Sequence, residues 1–588
     1  MRVRLPQMIQ DPTLLNRDVD RLVEDWTMLD EDHYLDGPIT PRVAVVDLDP
    51  NTEKLEAGAV YLLPTGGQTL SRYDVDKNDV ASSQFIQVSV FATVYRTMYM
   101  FEQQKTLGRK ISWAFNGPQL LVVPRAGWLA NAYYERRSHS LQFFSFMAGD
   151  TLVHTSLSRD IVAHETAHAL IDGINPDLYD ALDPQSLALH EGVADLTAML
   201  MAFSSRRLRE SILKNTQGSI ETSTDFSSIG EQFGTAIDPT GKAGWLRNLL
   251  NEDVLNPDGD PADEPEEHEL SQVISGVLYR FMCVLHDHFK KDVATRFGQT
   301  EFSASGRALY VAARQFERMV LRGLDYLPPG EVTFADFGRA ILAADQASYD
   351  DETWRVWLRT AFAKRGIVKD ERDLEVRTNF ENEAVAKADL QGLVGSDWVA
   401  YTFAEANREL LGIPGDAQFE VLPRVVVDGR FESPAATMDR VTGDRNEAAG
   451  EPTPQAADGD GTGFAEPDRG GVPFRELLFK VRWSHVEDNP PDLGAGQRRV
   501  QTGTTLVIDW NAKRIRSLLG PLSLEDRSGA RDTMLRRLVE SGAIQVTETD
   551  PAARTKAAAT GIDAVVTDGI LRVRNTARLL HIVKELDE

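Results

Sequence analysis

The sequence predicts a mixed α+β chain: a β-rich lobe, a mainly helical lobe, and a separate C-terminal α+β domain. Three patterns carry this reading. Before the midpoint, short apolar runs such as RVAVVDLDP, AVYLLP and LLVVP are bounded by turn residues, as strands are. Residues 270–290, 302–322, 334–345 and 352–364 place apolar side chains at the three- and four-residue spacing of helices. Past residue 472, ELLFKVRWSHV, TTLVIDWNAKRIRSLL and GILRVRNTARLLHIV alternate like half-buried strands, with RDTMLRRLVESG helical between them. A chain of 588 residues exceeds one ordinary core, so several domains are expected. We expect a β-rich lead-in over 1–75, a β-rich lobe over 76–180, a helical lobe over 181–369 and the C-terminal domain over 370–588.

Taken in order, SSQFIQVSVFATVYRTMYMFEQQ reads as a helix of about six turns with one buried face. Asn131 to Tyr134 reads as an edge segment, and LQFFSFMAGDTLVH as two short strands. The next helix starts near Ser158, a favoured N-cap, with Asp160 in its first turn where negative charge suits the dipole. Gly173 and Pro176 are expected to end it. Residues 186–215 read as a further helix, and 216–265 as an acidic, loop-rich stretch. The run VTGDRNEAAGEPTPQAADGDGTGFAEPDRGG is too poor in apolar residues to order itself, so 441–472 reads as a mobile loop or linker.

Composition excludes some functions. A net charge of −27, spread along the chain, argues against nucleic acid or an anionic membrane as the main partner, because phosphate binding needs concentrated basic surface. The single cysteine, Cys283, excludes an internal disulfide framework and a cysteine-based zinc site. No signal-peptide core and no membrane-length apolar run stand out, so the default expectation is cytoplasmic. Export by a dedicated machine leaves no readable signal. The oligomeric state is not written in the sequence.

The chemistry concentrates in His164-Glu165-Thr166-Ala167-His168. Positions four apart share a helix face, so His164 and His168 both present an imidazole to one Zn²⁺. Glu165 lies one step round, where it reaches water activated by the ion without ligating; that water's pKa falls to about 7. This is the equipment for hydrolysing an amide. A catalytic zinc needs a third protein ligand and one open position. Glu191, in LALHEGVADLTAML, is the best candidate. Asp195, on the same helical face, suits the free N–H of a ligating histidine. His190 is a rival ligand, but it points more than a quarter turn away from Asp195 and ranks as non-ligating.

These residues resemble the thermolysin-like zinc metallopeptidases, gluzincins with two histidines from HExxH and a glutamate from a later helix. The likeness runs through NAYY at Asn131 to Tyr134, DIVAHETAH at Asp160 to His168, Tyr179, and Glu191 with Asp195. It continues through LRNLL at Arg247 and DEPEEHELSQVISG at His268, and covers roughly residues 80 to 367. The resemblance implies a two-lobed catalytic unit and an endopeptidase acting on peptide or protein substrates. In it, Tyr179 and His268 donate to the oxyanion and Asp263 orients His268. Arg247 contacts the substrate carbonyl and helps hold the carboxylate ligand. Asn131 and the backbone of Ala132 hold an extended substrate, and Ile161 lines a pocket for a hydrophobic residue after the cut. Preorganised donors at the oxyanion stabilise the transition state more than the ground state.

Departures accompany the likeness. The connection before Glu191 is a few residues longer than usual, and the gap between Arg247 and His268 is shorter. The stretch MAFSSRRLRESILKN is basic where the family's double calcium site needs carboxylates, so no such site is expected. Two other readings compete: a peptide-binding protein that does not cut, and an aminopeptidase. Glu165 speaks against the first, because a binder needs no general base. No motif for capturing a free amine speaks for the second.

Overall fold

The computed structural model describes residues 2–10, 12, 23–29, 33–66, 68–222, 226–229, 247–256, 259–348, 352–438, 472–493, 496–522 and 527–540, with the backbone of 562–567 and 570–575. Its fold is mixed α+β. The first sheet orders Val23–Leu29, Arg2–Met8, Leu70–Tyr73 and Tyr61–Leu62; the second orders Val43–Val45, Leu120–Val123, Ser140–Phe143 and Ala132–Glu135. Helix α1 (Ser83–Glu102) contacts a strand of each sheet as well as the metal-motif helix. The strand Arg2–Met8 alternates polar and apolar residues from Arg2 to Leu5, but Pro6 and Gln7 break the pattern. Yet Val3, Leu5 and Met8 share one apolar core with Phe85, Val162 and Leu170.

Helix α1 departs from the single buried face that its periodicity suggests. It is buried nearly all round, from Phe85 to Met98. Its polar positions tolerate this by bonding backwards: Thr93 Oγ1 donates to the Ser89 carbonyl at 3.0 Å and Thr97 Oγ1 to that of Thr93 at 2.9 Å.

The helical part comprises α2 (Arg159–Ile174), α3 (Pro184–Ser204), α4 (Arg206–Asn215), α5 (Glu267–Phe297), α6 (Glu301–Tyr326), α7 (Phe334–Gln346) and α8 (Thr353–Lys364). Helix α3 lies between α2 and α5. The helix expected over 186–215 is two helices. Ser205 leaves the helical conformation, caps α4 by accepting from the Leu208 N–H, and donates to Glu24 Oε2 at 2.9 Å. Gly173 is not the terminator of α2; it lies inside the last turn. A Cβ there would sit 2.3 Å from the Ser112 carbonyl oxygen, so the glycine serves close packing.

Residues 370–540 begin with short helices and build a sheet around two long antiparallel strands, Val472–Asp488 and Gln497–Asp509. This sheet has its own apolar core, in which Leu477, Phe479 and Val481 meet Leu390 and Ala400. The linker reading falls on 441–471, outside the described residues; Val472 already opens a strand. Cys283 is buried on α5, and its thiol lies 3.6 Å from the Ile220 carbonyl oxygen. Among the described residues no helix is long and apolar enough to cross a membrane.

Candidate metal centre

Helix α2 reaches the middle of the molecule because its first turn is tied down by charge. Arg159 Nη1 meets Glu24 Oε1 at 3.0 Å, and Arg96 meets the same oxygen at 2.8 Å, all three side chains being buried. Asp160 accepts from the Ile161 N–H at 3.0 Å and from the Ser158 hydroxyl. Ser158 therefore occupies the N-cap position, but its side chain serves Asp160 rather than a backbone N–H.

Two turns further on, His164 and His168 face Glu191 of α3. The two Nε2 atoms are 3.0 Å apart; Glu191 Oε2 lies 3.4 Å from His164 Nε2, and Oε1 lies 3.3 Å from His168 Nε2. Among the described residues this is the grouping of His, Cys, Asp or Glu suited to hold a metal ion. Its spacing fits zinc: tetrahedral ligands at about 2.0–2.1 Å stand roughly 3.3 Å from one another. The donor set fits as well, since both Glu191 oxygens are buried without a hydrogen bond. A buried carboxylate left in that condition is costly unless a cation faces it.

Around the three lies a second ring of contacts. Asp195, one turn beyond Glu191, places Oδ1 3.0 Å from His164 Nδ1. The same oxygen accepts the Arg247 Nε–H at 3.0 Å and pairs with Nη2 at 2.9 Å. Arg247 comes from the short strand Arg247–Asn248, and its Nη1 stands 3.8 Å from Glu191 Oε2. His190, considered above only as a rival ligand, sits on the far side of His168, with 2.7 Å between the two Nδ1 atoms. With His168 Nε2 turned to an ion, its Nδ1 carries the proton and donates to His190. The His190 proton is then on Nε2, which is buried with no acceptor. The signal in the sequence was its place immediately before Glu191; only the packing of α3 on α2 shows which atom it meets.

The carboxylates and imidazoles influence one another. Burial works against ionising Glu191, but His168 and His164 outweigh it and hold the carboxyl well below its usual range. Asp195 is likewise lowered, with Arg247 and His164 overcoming burial. Burial, only partly offset by His164, pushes Glu165 up to about 8. Burial and the neighbouring His168 keep His190 neutral.

No family model matches the sequence, and neither does any curated protein.

The chain's own geometry remains the guide to the other site residues. Among the described residues Ala132–Glu135 is an edge strand, paired only with Ser140–Phe143. Its outward Tyr134 N–H donates to Glu165 Oε2 at 3.0 Å, and the Ala132 N–H donates to Asn131 Oδ1 at 2.8 Å. Glu165 thus stands where this edge meets His164, His168 and Glu191. Ile161, one turn before Glu165, is nearly buried in the apolar core. Tyr179 is buried, its hydroxyl 3.5 Å from the Tyr134 carbonyl oxygen and its ring 5.6 Å from that of His190. The Arg136 guanidinium covers its other side at 4.6 Å. Arg136 is held by Asp172 and Asp180, and Asp172 also accepts from the Tyr134 hydroxyl at 2.8 Å. Asp172 was missed, although it continues the four-residue spacing of His164 and His168.

His268 lies half-buried in the first turn of α5. That helix is brought against the metal ligands at Gly192, where a Cβ would meet Ile274 Cγ2 at 2.5 Å and the Ser271 carbonyl oxygen at 3.3 Å. Asp263 is exposed at the end of the turn Pro261–Asp263. The buried carboxylate next to His268 is Glu267, which feels both the imidazole and Glu191; burial raises its pKa.

Proposed function

We propose that the chain is a zinc-dependent endopeptidase of thermolysin-like, two-lobed architecture. The observation that carries this reading is the convergence of His164, His168 and Glu191, with both Glu191 oxygens lacking hydrogen bonds, beside a carboxylate that touches a strand edge. The ion, when bound, supplies a Lewis acid that polarises a carbonyl and acidifies water.

The residues divide the remaining work. An extended peptide adds to the edge strand Ala132–Glu135, displacing the local bonds of Asn131 and Glu165, because main-chain pairing holds peptides of varied sequence. Glu165, freed from the Tyr134 N–H, takes a proton from the attacking water and passes it to the leaving nitrogen. Tyr179 and His268 are the donors for charge developing on the scissile oxygen, and Arg247 contacts the substrate carbonyl and helps hold Glu191. Asp195 and His190 fix the ring orientations of His164 and His168. Ile161 lines the pocket for a hydrophobic residue after the cut.

The test is Glu165→Gln. Zinc content is expected to remain and cleavage of a peptide library to disappear. Cleavage at the wild-type rate by the variant would remove Glu165 from the reaction.

A further inference from the structure

We propose that the C-terminal domain positions the active site by gripping the connection between α2 and α3, which carries Tyr179, and the segment leading to His268. This inference rests on the reading of the chain as a peptidase. The connection, residues 175–183, contains one 3-10 turn and no strand. Such a segment is ordered only if contacts offset its conformational entropy. Arg136, Leu324, Gly330 and Glu331 supply several of those contacts, and residues beyond 470 anchor both ends.

Lys480 and Arg482 lie two apart on the strand Val472–Asp488, hence on one face. Lys480 Nζ donates to Asn175 Oδ1 at 2.9 Å, and Arg482 pairs with Asp177. The other Asp177 oxygen accepts the Gly330 N–H at 2.9 Å, next to Glu331, whose N–H bonds the Gln501 carbonyl at 3.0 Å. At the other end of the connection, Glu331 Oε1 accepts the Leu182 N–H at 2.9 Å while Oε2 meets Arg531 Nη1 at 3.2 Å. Arg527, one helical turn before Arg531, holds Asp183 in a two-pronged pair at 2.8 and 2.7 Å. Tyr179 sits between these anchors.

The helix Ser528–Glu540 and Arg527 also hold the approach to His268. Arg527 pairs with Glu264 at 2.5 and 2.7 Å, Thr533 Oγ1 donates to the Ala262 carbonyl at 3.1 Å, and Arg537 donates to that of Glu264 at 3.0 Å. Paired arginine–carboxylate contacts fix orientation as well as distance. The metal ligands, by contrast, stand on α2 and α3, which pack against each other directly. The grip therefore bears on the two oxyanion donors, and it touches α3 at its N-cap, Asp183, about two turns before Glu191.

That separation makes the proposal testable in the full-length chain. Arg482→Ala and Arg527→Ala are compared with wild type, with the conservative Arg482→Lys and Arg527→Lys, and with the exchanged pair Asp177→Arg plus Arg482→Asp. Hydrogen exchange at 176–183 should quicken in Arg482→Ala, and at both 176–183 and 262–268 in Arg527→Ala. kcat should fall roughly 10- to 100-fold while KM and zinc affinity stay within about twofold. The lysine variants and the exchanged pair should recover part of kcat, which a purely structural loss would not allow. Unchanged exchange and kcat in both folded alanine variants would overturn the proposal, as would zinc loss in step with activity. Should Arg527→Ala not fold, the partly buried Arg482 pair decides alone. If wild type cleaves no peptide, the peptidase reading fails, and the exchange comparison still decides whether the domain orders the connection.

Discussion

Asp195→Asn tests the metal centre through a residue that does not ligate. The buried Oδ1 of Asp195 accepts the Arg247 Nε–H at 3.0 Å and has His164 Nδ1 at 3.0 Å and Arg247 Nη2 at 2.9 Å beside it. Asparagine keeps the acceptor oxygen that these groups use but loses the charge, and its NH₂ takes the place of Oδ2, which is buried without a hydrogen bond. Losing the outer partner of a ligating histidine costs about 10- to 100-fold in metal affinity, or about 1.4–2.7 kcal/mol. The upper end is expected, because Arg247 keeps its buried charge and has Glu191 Oε2 within 3.8 Å as its next carboxylate. It then competes with the ion for the third ligand. Competition against a chromophoric zinc chelator near neutral pH measures the loss, with circular dichroism to confirm the fold. A zinc Kd within about threefold of wild type would refute the argument, since it would mean that the orientation of His164 does not depend on Asp195.

Two further predictions concern the frame of the site. Gly173→Ala adds a Cβ that would stand 2.3 Å from the Ser112 carbonyl oxygen, so overpacking of about 1–3 kcal/mol should exceed the ~1 kcal/mol gained in helix propensity. Urea unfolding should show a net loss; equal or greater stability would show that α2 and residues 111–112 are not tightly apposed. Burial pushes the His286 imidazole down to about 4, although Nε2 is 3.0 Å from the Ser305 carbonyl oxygen. The unfolded chain, with a histidine pKa of about 6.5, then binds the extra proton first. Stability is full above about pH 6.5 and declines as pH falls toward 4, by about 2 kcal/mol at pH 5. His286→Gln should remove that share of the acid loss; parallel curves for variant and wild type between pH 7 and 5 would contradict it.

Some of this molecule is determined by its sequence alone. The four-residue spacing of His164 and His168, and of Glu191 and Asp195, fixes which side chains share a helix face whatever the helices pack against. The helices from Glu267 to Lys364 were legible for the same reason, because local periodicity is a property of consecutive residues. The strand Arg2–Met8 was not legible, nor the all-round burial of α1, because both depend on partners far along the chain. The same limit applies inside the site. That His190 meets His168 through Nδ1, or that Arg247 reaches both Asp195 and Glu191, depends on the packing of separate segments, which no spacing encodes. The C-terminal domain is the clearest case. Its sequence contains no cluster of catalytic residue types, and only the tertiary structure brings Arg482 and Arg527 to carboxylates some three hundred residues away. Helical spacing paired His164 with His168 and Glu191 with Asp195; the packing of α3 on α2 and long-range ion pairs decided what surrounds them.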